Sequence, residues 1–313
     1  MSAIRTENLI KNFGSFRALD GLSLTVESGA VFGFLGPNGA GKTTTLRILT
    51  GLAHATSGTA WLDGMEAGKS PEINRKFGYL PEDPAFYPWM SAIEMLEYIG
   101  RIHGFPGKER RKRADELLEL TGLIEARKRR VGGYSRGMKQ RLGVAQALFH
   151  RPPVLLLDEP ASALDPAGRK DILNLIEGLR GQCTVFMSTH ILADVERVCD
   201  TVAIIDHGRL VTQAPRDELI ARYAKPMLLL EVENGTDSTR LVEEIRLVEW
   251  ARSVEVDGKR LIVTVNDLAA AQRELLNRAV ALGLVVTHYE QVKPSLEDVF
   301  LRIVENSKEV VQS

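Results

Sequence analysis

The chain has 313 residues, 44% hydrophobic and 26% charged, the balance of an ordinary soluble globular protein with room for two domains of unequal size. Lys and Arg number 40 against 41 Asp and Glu, so a formal net charge of −1 supplies no global basicity to draw the chain to nucleic acid. Cys183 and Cys199 are the only cysteines and lack C-x-x-C spacing, which speaks against a disulfide scaffold or zinc site and fits a reducing cytosolic compartment. The opening Met1-Ser2-Ala3-Ile4-Arg5 is strand-like rather than the apolar core of a signal peptide. No run approaches the ~18–20 apolar residues of a membrane-spanning helix. Service to a membrane is therefore expected from its cytoplasmic side, through a separate partner.

In chain order, Ile4 to Leu9 and Leu22 to Val26 read as strands joined by a turn around Gly14, with Phe13 within it. The apolar run Val31 to Leu35 reads as a buried strand, and Lys42 to Thr50 as a helix with Leu46 and Leu49 on one side. Between them lie Gly36-Pro37-Asn38-Gly39-Ala40-Gly41-Lys42-Thr43. These fill the pattern G-x-x-x-x-G-K-[ST] in the strand–loop–helix context that it requires. Glycines let the backbone curl so that successive N–H groups point at phosphate oxygens, and the helix N-terminus adds partial positive charge. Lys42 is placed to reach the β- and γ-phosphates, Thr43 to ligate Mg²⁺ through its hydroxyl, and Thr44 belongs to the same nucleotide-binding set. A chance glycine-rich turn is the bland alternative, and eight correctly filled positions argue against it. The pattern points to a nucleoside triphosphate and is silent on what its hydrolysis drives.

Thr59 to Leu62 and Phe77 to Leu80 read as further short strands. From Ser91 to about Thr121 the pattern is helical, with Ile93, Leu96 and Ile99, then Leu117, Leu118 and Leu120 after a break at Gly104 to Gly107. The basic clusters Lys108 to Arg113 and Arg127 to Arg130 read as solvated helix faces. Their other reading is attraction to an anionic leaflet, worth up to about 1 kcal/mol per residue.

After a helix over Arg136 to Phe149, the buried strand Val154 to Leu157 opens onto Asp158-Glu159-Pro160. Asp158 suits holding Mg²⁺ through water, and Glu159 suits polarising the attacking water as general base. A lone acidic turn is the bland reading; a phosphate loop in the same domain argues for the functional one. Pro166 opens a helix to about Leu179, a first-turn position where its missing N–H costs nothing. Thr184 to Met187 reads as a strand, and His190 follows it at the same sheet end, able to donate to the γ-phosphate. His54, His103, His150, His207 and His288 have surface or structural roles. A helix over Ile191 to Val198, a hairpin of Val202 to Ile205 and Leu210-Val211, and a helix over Arg216 to Tyr223 close the domain. Alternating strands and helices argue an α/β sheet with parallel strands and ligands at their carboxyl ends.

Ala224-Lys225-Pro226 marks a boundary. Beyond it come a strand at Met227 to Val232, a helix at Thr239 to Ile245, a strand at Ala251 to Val256 and a turn at Asp257-Gly258. A strand at Leu261 to Val265, a helix capped by Asp267 and a strand at Leu284 to Tyr289 follow. The order βαββαβ is that of a small ferredoxin-like α+β unit, with a terminal helix over Pro294 to Val304. The expected division is residues 1–223, with a helical subdomain over about 85–150, and residues 224–313.

These residues carry a family resemblance. From about Ile4 to Tyr223 the chain resembles the nucleotide-binding subunit of an ATP-binding cassette (ABC) transporter, a P-loop NTPase-type domain. Beside the phosphate loop and the acids, the decisive match is Tyr134-Ser135-Arg136-Gly137-Met138-Lys139-Gln140-Arg141-Leu142, in the place of the family's signature. The resemblance implies that Ser135 and Gly137, at a helix N-terminus, grip the γ-phosphate of ATP bound to an opposite subunit. Arg136 stands for a usual glycine and Met138 for a usual glutamine. The resemblance further implies that Phe13, with Phe16 as competitor, stacks on adenine, and that Ala161-Ser162-Ala163-Leu164-Asp165 crosses a dimer interface. His190 matches the switch histidine. Glu82 takes the place of a glutamine that senses Mg²⁺ and water; its carboxylate can ligate the metal but repels the γ-phosphate without it.

Glu82, Tyr134-Ser135 and the tail Pro294-Ser295-Leu296-Glu297-Asp298-Val299-Phe300 are together similar to the drug- and antibiotic-resistance exporter branch. That implies a cytosolic Mg²⁺-dependent ATPase, peripheral on the cytoplasmic face of the cell membrane, pairing with a separately encoded transmembrane permease. A second copy would complete two ATP sites with twofold symmetry. The segment from about Ala85 to Arg130 is the expected docking surface, and the C-terminal domain a dimer support. The alternative is a cassette ATPase acting on the ribosome or DNA. The short gap from Lys42 to Ser135 without heptads, and the single cassette, argue against it.

Overall fold

The computed structural model describes residues 2–162, 164–223, 226–233, 238–292, 296–297 and 299–300. Ala163, the boundary residues Ala224 and Lys225, and most of the terminal helix expected over Pro294 to Val304 lie outside the described residues. The chain divides into two compact units, Met1–Asp217 and Glu218–Ser313.

The first unit begins with β1 (Ser2–Phe13), β2 (Phe16–Glu27), β3 (Val31–Leu35), α1 (Lys42–Leu49), β4 (Ser57–Leu62), β5 (Met65–Glu66) and β6 (Phe77–Leu80). Helices α2 (Ala92–Ile102), α3 (Gly107–Leu120) and α4 (Arg136–Ala147) follow. Then come β7 (Val154–Asp158), α5 (Pro166–Gly178), β8 (Thr184–Thr189), α6 (Leu192–Val198), β9 (Thr201–Asp206) and β10 (Arg209–Pro215). Helix α7 (Arg216–Tyr223) contains the division between the units.

Two sheets result. An antiparallel sheet has the order β2-β1-β4-β5, and a six-stranded sheet the order β10-β9-β3-β8-β7-β6. In the second, β9, β3, β8, β7 and β6 are parallel and β10 is an antiparallel edge. β1 and β2 run well past the apolar stretches Ile4 to Leu9 and Leu22 to Val26. Their polar ends stay in the sheet because ladder hydrogen bonds, rather than side-chain burial, hold them.

β3, β7 and β8 are buried at every position, as parallel strands covered on both faces must be. Phe186 of β8 packs against Phe32 and Phe34 of β3, ring centroids 5.3 and 5.2 Å apart. Because β6, β7, β8 and β3 are parallel neighbours, the segments leaving their carboxyl ends emerge on one edge. Those segments hold Glu82, Glu159, His190 and the Gly36 loop. In the helical region Ser91 caps α2 in a reciprocal box with Glu94. The basic cluster on α3 is tied internally: Arg111 pairs with Glu97 (2.6 Å), and Arg113 donates to the Leu148 and Phe149 carbonyls (2.9 and 3.2 Å).

The second unit comprises β11 (Met227–Val232), α8 (Thr239–Arg246), β12 (Ala251–Asp257), β13 (Arg260–Val265), α9 (Leu268–Ala281) and β14 (Val286–Val292). Its sheet order β12-β13-β11-β14, antiparallel throughout, is the ferredoxin-like arrangement. Leu228, Leu230, Leu261 and Val263 bury one sheet face with Leu241 and Ile245 of α8 and Leu275 of α9. The last strand starts two residues later than its apolar run, because Leu284 packs into the core from the turn made by Gly283 at φ 73°.

Candidate active site

Beyond Leu35 the chain curls at once. A Cβ at Gly36 would lie 2.4 Å from the Ile205 carbonyl oxygen, and one at Gly41, where φ is 107°, 2.6 Å from Leu19 Cδ2. Neither position has room for a side chain. The loop is stitched by Ala40 N–H donating to the Pro37 carbonyl (3.2 Å) and Gly208 N–H to that of Ala40 (3.0 Å). Lys42 is only 6% exposed. Its Nζ donates to the Gly36 and Pro37 carbonyls (2.8 and 3.2 Å) and lies 3.3 Å from Glu159 Oε1. A buried ammonium persists only with such partners.

Asp158 is the last residue of β7 and 1% exposed. Its Oδ1 accepts from the Ser188 hydroxyl (2.6 Å) and the Thr43 hydroxyl (3.3 Å). Burial raises its pKa above the usual carboxylate value, and those two hydrogen bonds work against the rise. Glu159 leaves the strand in the left-handed region, at φ 49°, with its N–H donating to the Ser188 carbonyl (3.0 Å). Its Oε2 sits 3.0 Å from His190 Nδ1. Glu159 thus bridges the phosphate-loop lysine and the histidine.

Phe13, Phe16, Asn38, Gly39, Gly41, Lys42, Thr43, Thr44, Glu82, Glu159 and His190 line one cavity of about 360 Å³. Phe13 and Phe16 are 52% and 62% exposed, so two aromatic faces are available rather than one. The Lys11 ammonium stands 4.8 Å from the Phe13 ring centre. Ser135, Gly137 and Asp165 do not line this cavity. Ser135 caps α4, its hydroxyl accepting from Met138 N–H (3.2 Å), and is exposed. Asp165 caps α5, accepting from Gly168 N–H (3.3 Å).

Two contacts escaped sequence reasoning. Ser188 holds Asp158, and its only signal was a small polar residue in register with the acid on the neighbouring strand. Gln140, 3% exposed, donates through Nε2 to the Glu82 carbonyl (2.9 Å), joining α4 to the loop after β6. Outside the site, His103 and His150 stack with centroids 4.2 Å apart, while His207 is exposed.

The oxygens of Thr43 and Asp158, within 3.3 Å of each other, suit a hard cation, which would offset the cost of keeping buried Asp158 ionised. Among the described residues no group of three or more His, Cys, Asp or Glu is arranged to hold a metal alone. Mg²⁺, which uses one or two carboxylates with waters and substrate phosphates, does not require one.

A family model described as ABC transporter matches residues 19–162, and one described as ATP-binding protein DrrA1-3-like, C-terminal domain, matches residues 215–304. The bacitracin transport ATP-binding protein BcrA of Bacillus licheniformis is 38% identical over 305 residues, covering 96% of this chain and 97% of that one. The chain belongs to the ABC transporter ATP-binding proteins. The linearmycin resistance ATP-binding protein LnrL of Bacillus subtilis is 33% identical over 307 residues, covering 96% and 97%. Among solved structures, the ATP-binding cassette MJ0796, dimeric in a post-hydrolysis state with ADP and Pi, is 26% identical. Its TM-score is 0.62, over 68% of this chain and 98% of that one.

The chain is therefore an ABC ATPase, an α/β cassette followed by a DrrA-like C-terminal domain, as its motifs led one to expect. The transport and resistance relatives lend the ribosome and DNA alternative no support. ATP-binding subunits of this family work with transmembrane partners. Among the described residues no helix is long and apolar enough to cross a membrane.

Proposed function

We propose that this ABC ATPase powers a drug or antibiotic exporter by closing on a second copy of itself around two ATP molecules and reopening after hydrolysis. One observation carries the reading: Lys42, Glu159 and His190 converge on one cavity, while Ser135 heads a separate helix N-terminus that does not reach it. Each chain then offers half of two sites, and a twofold pair completes both.

In this reading the phosphates seat on the backbone N–H groups of the Gly36–Thr43 loop and draw Lys42 away from Glu159. Glu159, released from its cation, takes the proton of the attacking water. The water oxygen bonds to the γ-phosphorus as the bond to the ADP oxygen breaks. His190, oriented by Glu159, faces the γ-phosphate, and Phe13 and Phe16 offer stacking for adenine. Thr43, Asp158 and Glu82 would hold Mg²⁺, whose charge neutralises the phosphates when bound. Ser135 and Gly137 grip the partner's γ-phosphate, and Asp165 meets the partner across the interface. Docking to a separately encoded membrane permease falls to the helical region, where Tyr87, Trp89 and Tyr98 form an exposed aromatic cluster with centroids 5.2 and 6.2 Å apart. Residues 224–313 support the dimer, and the protein works peripherally on the cytoplasmic face.

The test uses Glu159→Gln. It should bind ATP, lose about 10²–10⁴-fold in turnover, and sediment as an ATP-dependent dimer. Adding Ser135→Arg should return the protein to a monomer that still binds ATP. Normal turnover in the first variant, or loss of ATP by the second, would defeat the scheme. Affinity purification from membranes should bring down an integral membrane protein, and recovery of ribosomes or DNA instead would reverse the transport assignment.

A further inference from the structure

Among the described residues the buried acidic side chains are Asp158, Glu159 and Asp194. The first two belong to the site; Asp194, 2% exposed, does not line its cavity. It lies in the first turn of α6, just after His190, and its Oδ1 is 2.7 Å from Nε of Arg169, in the first turn of α5 after Asp165. Arg197 repeats the link one turn on, donating to Asn174 (2.6 Å).

We propose that the Arg169–Asp194 ion pair is a strut that positions the His190 loop against the Asp165 loop, so that a partner's contact at Asp165 sets the geometry of His190 and Glu159. The inference rests on the clamp reading above. Bonds run without a gap from one loop to the other. Arg169 N–H donates to the Asp165 carbonyl (2.9 Å), and Asp194 N–H donates to the Ile191 carbonyl (3.2 Å). Ile191 N–H donates to the Thr189 hydroxyl (3.0 Å), and His190 meets Glu159 at 3.0 Å. From the other side, Ser162 N–H and its hydroxyl both donate to the Glu159 carbonyl (3.3 and 3.2 Å).

An apolar pair of similar volume holds two helices as well as a buried ion pair does. What the pair adds is direction, because the guanidinium N–H fixes where the start of α6 sits relative to α5. Arg169 and Asp194 are thus positioning residues, acting through His190 and not on the phosphate.

The experiment compares the full-length parent, Arg169→Lys, and the double variant Arg169→Met/Asp194→Leu, which leaves no charge orphaned. Folding is checked by thermal midpoint and ATP turnover by steady-state kinetics. The expected result is an unchanged KM for ATP with kcat down about tenfold or more in the double variant, the size of effect that a misplaced catalytic group produces. Arg169→Lys should restore part of it. In the Glu159→Gln background the double variant should still dimerise on ATP. Parent-like kcat in a folded double variant overturns the strut, as does a loss in which KM and thermal midpoint change along with kcat. If the double variant does not fold, Arg169→Lys decides: a lowered kcat at constant KM supports the strut and parental kinetics overturn it. Normal turnover of Glu159→Gln by itself would defeat the clamp reading instead, so the two failures are distinct.

Discussion

In the first unit the interior holds Lys42, Asp158, Glu159, Ser188, Thr189 and Asp194 beside its apolar core. Among the described residues of the second unit every buried residue is apolar, and even Trp250 turns its indole N–H out to Glu274 (3.0 Å). Burying polar groups costs free energy unless each finds a partner. Small buried hydroxyls are scattered through the first unit, but among its described residues the buried charged side chains, Lys42, Asp158, Glu159 and Asp194, gather at the carboxyl edge of its parallel sheet, and there each charge is bonded. Among its described residues the second unit buries no charged side chain, and the Tyr289 hydroxyl is a buried polar atom without a hydrogen-bond partner; that interior fits architecture rather than chemistry.

The comparison can be broken most forcefully at Lys42. Lys42→Ala should leave Glu159 buried without a cation and cost about 3–5 kcal/mol of stability. ATP affinity should also fall by about 10–100-fold with the loss of a charged donor. Urea unfolding and calorimetric titration measure both, and an unchanged stability would mean that the Lys42–Glu159 pair contributes nothing to the fold. Leu230→Ala, at a fully buried position of β11, should cost about 2–5 kcal/mol while ATP binding stays at the parental level. Weakened ATP binding would blur the line between architecture and chemistry.

The smallest effect concerns the stacked histidines. Burial pushes the His150 imidazole from 6.5 down to about 4, helped by the neighbouring His103, while the Phe77 carbonyl (3.0 Å) acts in the opposite sense. His103 is lowered as well, by burial and then by Arg75. Below about pH 6.5 the unfolded chain takes up a proton that the folded one refuses. Stability from this pair is therefore whole above pH 6.5 and declines as pH falls toward 4. His150→Phe should flatten that part of a plot of thermal midpoint against pH, and an unaltered slope would assign the decline to other groups.

Much of this was legible in the chain itself. The loop Gly36 to Thr43, the acids after Val154 to Leu157, His190 after a buried strand, and the βαββαβ order are local patterns, in which neighbours in sequence dictate backbone and exposure. Element ends were less legible. β1 and β2 outrun their apolar cores because pairing holds polar residues in a ladder, and Asp158 and Thr189 prove to be strand residues.

What the sequence by itself determined, then, is which residues reach the reacting edge, because strand, turn and helix start are written within a few residues of each. Only the tertiary structure decided who holds them there. Ser188 meets Asp158 through the register of β7 and β8, Gln140 meets Glu82 through the packing of α4 on β6, and Arg169 meets Asp194 across two helices. Each of these contacts joins segments far apart in the chain, and no local pattern encodes the separation that folding removes.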